Sequence, residues 1–149
     1  MSFVMERSVE VDTPIDETFA WMLEHDEWRE PVVQSVTPLT EGPPRVGSRY
    51  ENVAKAAGMT LRITNEITVL DPPHRLAWTQ VGGKGPVRTV EGNYLLEDLG
   101  GGRTRVTLRN TIEPVGYGKL LTPILKVVSR RIADRLMPQL KEHIEAESV

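Results

Sequence analysis

The chain has 149 residues, 39% apolar and 26% charged, which predicts one globular domain over residues 1–149. Its net charge of −3 gives no electrostatic indication of binding to nucleic acid or to an anionic membrane, and its lack of cysteine excludes disulfides, thiol nucleophiles and thiolate metal sites. We recognise no secretory leader and no apolar stretch near the ~18 residues of a membrane span, so we expect a cytoplasmic protein without integral membrane association, as a monomer or small homo-oligomer.

The N-terminal part predicts a strand followed by two short helices. Residues 3–12 alternate apolar and polar side chains, as in a half-buried strand. Thr13 and Pro14 are typical of a helix start, and the apolar face that follows continues to Glu24. A second short helical stretch is predicted over residues 25–30, and Pro31 ends it.

Six further strands are predicted, separated by turns that contain glycine and proline. They cover residues 32–39, 47–54, 59–70, 75–81, 87–97 and 104–113. In the third of these, the odd positions from Met59 to Val69 share one face. In the last, the even positions from Thr104 to Ile112 share one face and the arginines share the other. This alternation predicts which side chains point toward the interior.

A helical pattern over residues 117–146 ends the chain. Its apolar side chains recur three and four positions apart from Leu121 to Ile144, and Pro138 lies inside the pattern, where a kink is expected. A curved antiparallel sheet wrapped around one long helix leaves a gap between them. The sequence therefore predicts an α+β protein with an internal cavity.

Short motifs across nearly the whole chain carry a family resemblance. They are VEVDTP at 9–14, TFA at 18–20, Trp28 before Pro31, VGS at 46–48, DPP at 71–73 with Arg75, Leu76 and Trp78, GNYL at 92–95, and GGRTRVT at 101–107. With the element order, they resemble the helix-grip fold of the START and Bet v 1-like superfamily, and within it the polyketide cyclase/dehydrase and lipid-transport family. The resemblance implies about seven strands around a long C-terminal helix and a cavity used for lipids, sterols, polyketides or quinones. It implies no shared catalytic residues.

The predicted inner face supplies candidate cavity-lining residues. Buried amides need partners, so they either bind a ligand or bond to each other and to backbone in a filled core. An aromatic pair is predicted to face inward too, as a ligand wall or as core. The candidates are Asn65, Asn110, Gln80, Asn52, Trp78, Tyr94, Ile63, Leu108 and Val128.

The remaining charged and titratable residues give weaker indications. Arg7 of the first strand occupies a position that alternation assigns to the apolar face. We expect its side chain to form an ion pair or to lie in solvent rather than to bind a ligand carboxylate. Arg62 and Glu66 are expected on the outer face, in surface cross-strand pairs. The three histidines have no partner at metal-ligand or triad spacing. We therefore expect no metal, no cofactor and no identifiable catalytic residue.

Three functions fit these observations. The first is binding of a small hydrophobic or amphipathic molecule in the cavity. The second is an enzyme of the cyclase, aromatase or dehydratase type, which needs a positioned acid or base in the same cavity. The third is a protein-interaction module with a closed cavity, which ranks last because the predicted exposed faces form no large apolar patch.

Overall fold

Seven antiparallel strands form one sheet in the computed structural model, which describes residues 2–24, 33–56 and 59–147. The sheet order is β1-β7-β6-β5-β4-β3-β2, so neighbours in sequence are neighbours in the sheet except where β7 joins β1. The strands are β1 (Phe3–Val11), β2 (Val33–Pro38), β3 (Arg49–Ala56), β4 (Met59–Asp71), β5 (Arg75–Gly83), β6 (Val87–Gly100) and β7 (Arg103–Pro114). All seven predicted strands are confirmed.

The helices also follow the predicted order. Helix α1 covers Ile15–Glu24, a 3-10 helix covers Gly116–Leu121, and helix α2 covers Thr122–Glu147. Helix α2 continues through Pro138. The second predicted short helix, over residues 25–30, lies outside the described residues. The predicted α+β architecture, a sheet with one long C-terminal helix, is confirmed.

Alternation along β7 divides its side chains between two faces. Thr104, Val106, Leu108, Asn110 and Ile112 are buried, and the intervening arginines and threonines are exposed or half-buried, as predicted. In β4 the prediction is wrong at one end. A bulge between Ile67 and Val69 inserts an extra residue, and beyond it Leu70 rather than Val69 packs against the core.

Helix α2 packs closely only through its second half. Ala133, Met137, Leu140 and Ile144 are buried in the core, whereas none of its residues before Ala133 is buried. The same half is attached to β1 by polar contacts. The Arg7 Nε lies 2.6 Å from Asp134 Oδ1, and the Lys141 Nζ donates to the carbonyl of Glu10 at 2.7 Å. Arg7 therefore makes the expected ion pair.

The pairing along β1 gives the direction of α2. Phe3 lies near Lys126, whose Nζ is 5.8 Å from the ring centroid, and the far end of β1 lies near Glu145. The first half of α2 therefore lies at the sheet end that contains Phe3. Neither helix, over the part of the chain that the structure describes, has the length and apolar content to cross a membrane.

Candidate ligand site on the inner face of the sheet

The inner face of the sheet has an apolar end and a polar end. At the apolar end, Val11, Leu76 and Val106 are fully buried beside Phe19 and Met22 of α1. The polar end collects buried side chains from five strands, and it lies toward Phe3. Its members are Asn52 of β3, Asn65 of β4, Gln80 of β5, Thr89 of β6 and Asn110 of β7.

Strand register places these polar residues next to one another. Asn65 is directly opposite Gln80 on one side and Tyr50 on the other. Gln80 is joined to Thr89 because the Thr89 amide donates to Gln80 Oε1 at 3.0 Å. Asn110 is opposite Met5 and Gly92. The four amides predicted from alternation are thus brought to one end of one face.

Two of these amides carry a carboxamide oxygen that accepts no hydrogen bond. The Oδ1 atoms of Asn52 and Asn110 are buried and have no donor among the described residues. A buried acceptor without a partner costs about 1–3 kcal/mol, and such groups are few in native proteins. A hydrogen-bond donor from outside the chain would therefore stabilise the protein by bonding to one of these two oxygens.

Gln80 differs from the asparagines because local backbone satisfies it. Its Nε2 donates to the Gly82 carbonyl at 3.3 Å while its Oε1 accepts from Thr89. The pairing of β4 with β5 shifts at this point, because Val81 is an extra residue between Gln80 and Gly82 of β5. Gln80 is thereby held in a fixed orientation, and a ligand would have to break a hydrogen bond to use it.

The aromatic pair lies beside the polar end. Trp78 and Tyr94 are buried, with ring centroids 5.7 Å apart and planes tilted by 44°. Gly92, opposite Trp78 in the sheet, leaves the space that the indole fills, because a Cβ there would lie 2.2 Å from Trp78 Cε2. The pair therefore forms a rigid wall whose position depends on one glycine.

A small cavity lies beside Trp78 and two of the amides, Asn52 and Asn65. Its volume is about 10 Å³, close to the space of one water molecule. It is lined by Val36, Tyr50, Asn52, Asn65, Glu66, Ile67 and Trp78. A larger ligand would have to displace side chains around this cavity.

The other predicted cavity residues lie in three different environments. Ile63 is half-buried opposite Asn52 and Gly83, beside the polar end. Leu108 is fully buried opposite Tyr94 and belongs to the packed core. Val128 is 43% exposed on the first half of α2. Trp28, one of the motif residues of the family resemblance, lies outside the described residues, as does His25.

Sequence reasoning missed Thr89 and Tyr50. Tyr50 is two positions before Asn52 in β3, so strict alternation was enough to find it. Alternation could not predict Thr89. Counted back from Tyr94 it assigns Thr89 to the outer face, but a bulge between Thr89 and Glu91 turns this side chain inward. No residue type in that segment indicates the bulge.

No carboxylate, histidine or cation of the described residues is buried at the site. Apart from tyrosine, the buried polar side chains in this part of the chain are threonine, serine, asparagine and glutamine. The same residues contain no cluster of three or more potential metal ligands. Glu145, far from the polar end, has a displaced pKa. Hydrogen bonds from the Lys141 side chain and the Asp12 amide lower the pKa of this carboxyl, against a small opposing effect of burial.

Two comparisons with known proteins bear on this site. The sequence matches the family described as "Polyketide cyclase / dehydrase and lipid transport" over residues 2–145. No curated protein sequence matches the chain significantly. The family description names both enzymes and transport proteins and indicates no single ligand.

Solved structures with the same fold include three bacterial proteins. TTHA0849 from Thermus thermophilus is 23% identical with a TM-score of 0.78, covering 99% of this chain and 100% of that one. The Zhui aromatase/cyclase from Streptomyces sp. R1128 is 19% identical with a TM-score of 0.73, covering 99% and 94%. A START superfamily protein from Mycobacterium smegmatis is 14% identical with a TM-score of 0.76, covering 96% and 97%. These likenesses show the helix-grip fold.

Proposed function

The chain belongs to the polyketide cyclase/dehydrase and lipid transport family, and from that premise we propose that it binds a small hydrophobic or amphipathic molecule between the inner face of the sheet and α2. The observation that carries the proposal is the pair of buried carboxamide oxygens, of Asn52 and Asn110, that accept no hydrogen bond from the described residues. A ligand that donates to them would remove a cost that the free protein bears.

The chemistry of these atoms indicates the polar group of the ligand. A carboxamide oxygen is an acceptor, so its partner is a hydroxyl or N–H group. The surrounding wall of Trp78, Tyr94 and Ile67 is apolar or aromatic. Sites of this kind bind the apolar body by burial and use a few polar groups to orient it. A hydroxylated apolar molecule therefore fits better than one with only ether or ester oxygens.

The packing of α2 supports entry of such a molecule. The second half of the helix is fixed by buried side chains, whereas no residue of its first half is fully buried. The first half lies at the sheet end that contains Phe3, toward which the polar end of the inner face also lies. Binding thus requires a local adjustment of about three helical turns rather than opening of the core.

Catalysis of the cyclase or dehydratase type has less support. Such reactions need a positioned acid or base. The buried polar groups of the described inner face are amides, hydroxyls and aromatic rings, and the carboxylate that lines the small cavity, Glu66, is paired with Arg49 at 2.9 Å. We therefore propose binding as the function, and we use recovery of the ligand to test for turnover.

The first experiment is a thermal-shift screen with oleic acid, cholesterol, decylubiquinone and naringenin. A ligand at 100 times its dissociation constant stabilises the folded state by about 2.7 kcal/mol, which raises the melting temperature of a chain of this size by about 5–10 °C. A hydroxylated probe that shifts the wild type should then be compared with its O-methyl ether. The ether should bind at least tenfold more weakly, because it cannot donate to Asn52 or Asn110.

Matched variants separate the site from general stability. Asn52→Leu and Asn110→Leu should each abolish the ligand-induced shift. Asn93→Leu removes an amide of similar burial from the outer face, and it should leave the ligand-induced shift intact. The proposal fails if no probe shifts the wild type, or if both inner-face variants retain the full shift. A bound probe recovered chemically changed would replace binding with catalysis as the function.

A further inference from the structure

An exposed apolar surface covers the 3-10 helix and the first turns of α2. Six of the ten large apolar side chains that the described residues expose lie between positions 117 and 128. They are Tyr117, Leu120, Leu121, Ile124, Val127 and Val128. Leu120 is 87% exposed and Ile124 is 59% exposed. The expectation that no large apolar patch exists on the surface is therefore wrong.

The charge of the same segment is opposite to that of the chain. Residues 114–133 contain four basic residues and no acidic one, although the whole chain has a net charge of −3. The basic residues are Lys119, Lys126, Arg130 and Arg131. The apolar surface is thus bordered by basic residues, and the acidic residues next to the segment, Glu113 and Asp134, pair with Arg88 and Arg7 instead.

These basic side chains are unlike the arginines of the sheet. Each arginine in the described strands makes an ion pair, as in Arg49 with Glu66 at 2.9 Å and Arg62 with Glu51 at 3.1 Å. The side chains of Lys119, Arg130 and Arg131 make neither an ion pair nor a hydrogen bond with any described residue. Their charge is available to a partner.

Helical geometry orders the apolar and basic groups along one face. Ile124, Val127, Val128 and Arg131 are spaced i, i+3, i+4 and i+7, so they lie on one side of α2. Arg131 is about 10 Å along the axis from Ile124 at 1.5 Å per residue. An amphipathic segment of this kind fits a lipid surface, where the apolar side chains enter the interface and the basic side chains remain near the phosphates.

We propose that this surface, residues 117–131, docks on a bilayer that contains anionic phospholipid. The apolar side chains of the 3-10 helix and of Ile124, Val127 and Val128 enter the interface, and the side chains of Lys119, Arg130 and Arg131 contact phosphates. Tyr117, 53% exposed at the start of the segment, has the amphipathic ring favoured at such interfaces. This interaction goes beyond the proposed ligand binding and does not depend on it.

A second copy of the chain fits the surface less well. A two-fold dimer buries the same patch on both subunits, so two segments of the same positive net charge would be brought together. Like charges brought together in this way oppose association. The charge of the surface therefore favours an anionic partner.

The test is sedimentation of the full chain with vesicles of pure POPC and of POPC with 30% POPG. The wild type should bind the anionic vesicles, should bind POPC much more weakly, and should lose affinity between 0.1 and 0.5 M NaCl because screening weakens the charge attraction. Arg130→Gln with Arg131→Gln should lower the partition coefficient about 25-fold, at about fivefold per basic residue. Leu120→Ser with Ile124→Ser should abolish binding.

Matched controls place the effect on this surface. Leu39→Ser with Val46→Ser removes two other exposed apolar residues, and Lys55→Gln with Lys84→Gln removes two other exposed charges. Both should bind as the wild type does. Because the chain has no cysteine, Leu120→Cys can carry a single NBD label, whose emission should shift to the blue on anionic vesicles. The same label at Leu39→Cys should not shift.

Three results would overturn the proposal. They are absence of wild-type binding to anionic vesicles, equal loss of binding in the control variants, and binding that survives Leu120→Ser with Ile124→Ser. A monomer–dimer equilibrium removed by that variant, without vesicle binding, would assign the surface to a second copy. A protein that stays monomeric and does not bind vesicles would indicate that a partner protein occupies this surface.

Discussion

Replacing Asn110 with leucine should stabilise the ligand-free protein, although the residue is almost completely buried. Asn110 is 2% exposed, and its carboxamide oxygen accepts no hydrogen bond from the described residues. Leucine has the same number of side-chain heavy atoms and needs no hydrogen bond. The substitution therefore removes a desolvation cost and adds apolar burial against Met5, which is opposite in the sheet.

The expected gain follows from the cost of the unmet acceptor. That cost is about 1–3 kcal/mol, and part of the gain is lost because the branched side chain must fit a closely packed face. We expect the free energy of unfolding to rise by about 1–2 kcal/mol. For a chain of this length the melting temperature should rise by about 2–8 °C.

Asn93 provides the matched comparison. It is 5% exposed in the neighbouring strand, but on the outer face, and its carboxamide is fully used. Its Oδ1 accepts from Arg75 Nε at 3.0 Å, and its Nδ2 donates to Glu91 Oε1 at 2.8 Å and to the Arg109 carbonyl at 3.3 Å. Asn93→Leu should lower the free energy of unfolding by about 1–3 kcal/mol, because bonds to charged groups are lost.

Urea unfolding of the three proteins measures both changes. The transition midpoints should move in opposite directions from the wild type while the m-values stay equal, since the area exposed on unfolding is nearly the same. Equal destabilisation by Asn110→Leu and Asn93→Leu would refute the reasoning. It would mean that the Asn110 oxygen is satisfied in the free protein, for instance by an ordered water, and that it is not kept for a ligand.

Two further pairs of substitutions test the packing, and a fifth substitution tests the hydrogen bonds of Glu145. Gly92→Ala should destabilise by about 1–3 kcal/mol in thermal unfolding, because its Cβ meets the Trp78 ring at 2.2 Å, whereas Gly82→Ala, with 3.5 Å to Thr64, should be near neutral. Leu140→Ala should cost about 2–5 kcal/mol, while Ile124→Ala on the exposed half of α2 should cost under about 0.5 kcal/mol; equal costs would contradict the loose packing of that half. Glu145→Gln should destabilise by about 1 kcal/mol at pH 7. Because the folded pKa of Glu145 is below its ordinary 4.5, this difference should be present above pH 4.5 and vanish as pH falls through the folded pKa; a difference that persists in strong acid would contradict the assignment.

Alternation in the sequence was enough to place most of the candidate site. Thr104 to Ile112 lie as predicted, because β7 is paired regularly with β1 over the whole stretch. The prediction is wrong at Val69, where a bulge interrupts β4. A bulge is a feature of the pairing between two strands, and residue types on one strand carry little information about it. For the same reason the inward position of Thr89 was missed.

The sequence also could not predict the hydrogen-bond partners of the buried amides. Asn52, Asn110 and Gln80 are equivalent as residue types, and alternation places all three on one face. Only the folded chain shows that Gln80 is satisfied by Gly82 and Thr89, whereas the oxygens of these two asparagines accept no hydrogen bond from any described residue. Hydrogen bonding depends on distances and angles that strand period does not specify.

The sequence by itself determined the order of elements, the face of each regular strand and the apolar stripe of α2, because these depend on local periodicity. The tertiary structure decided which part of that stripe faces the sheet. Leu140 and Val128 belong to the same predicted stripe, yet one is fully buried and the other is 43% exposed. The helix turns by about 120° between them at 3.6 residues per turn, so a stripe spaced by threes and fours drifts around the helix, and only packing against the sheet decides which of its side chains are covered.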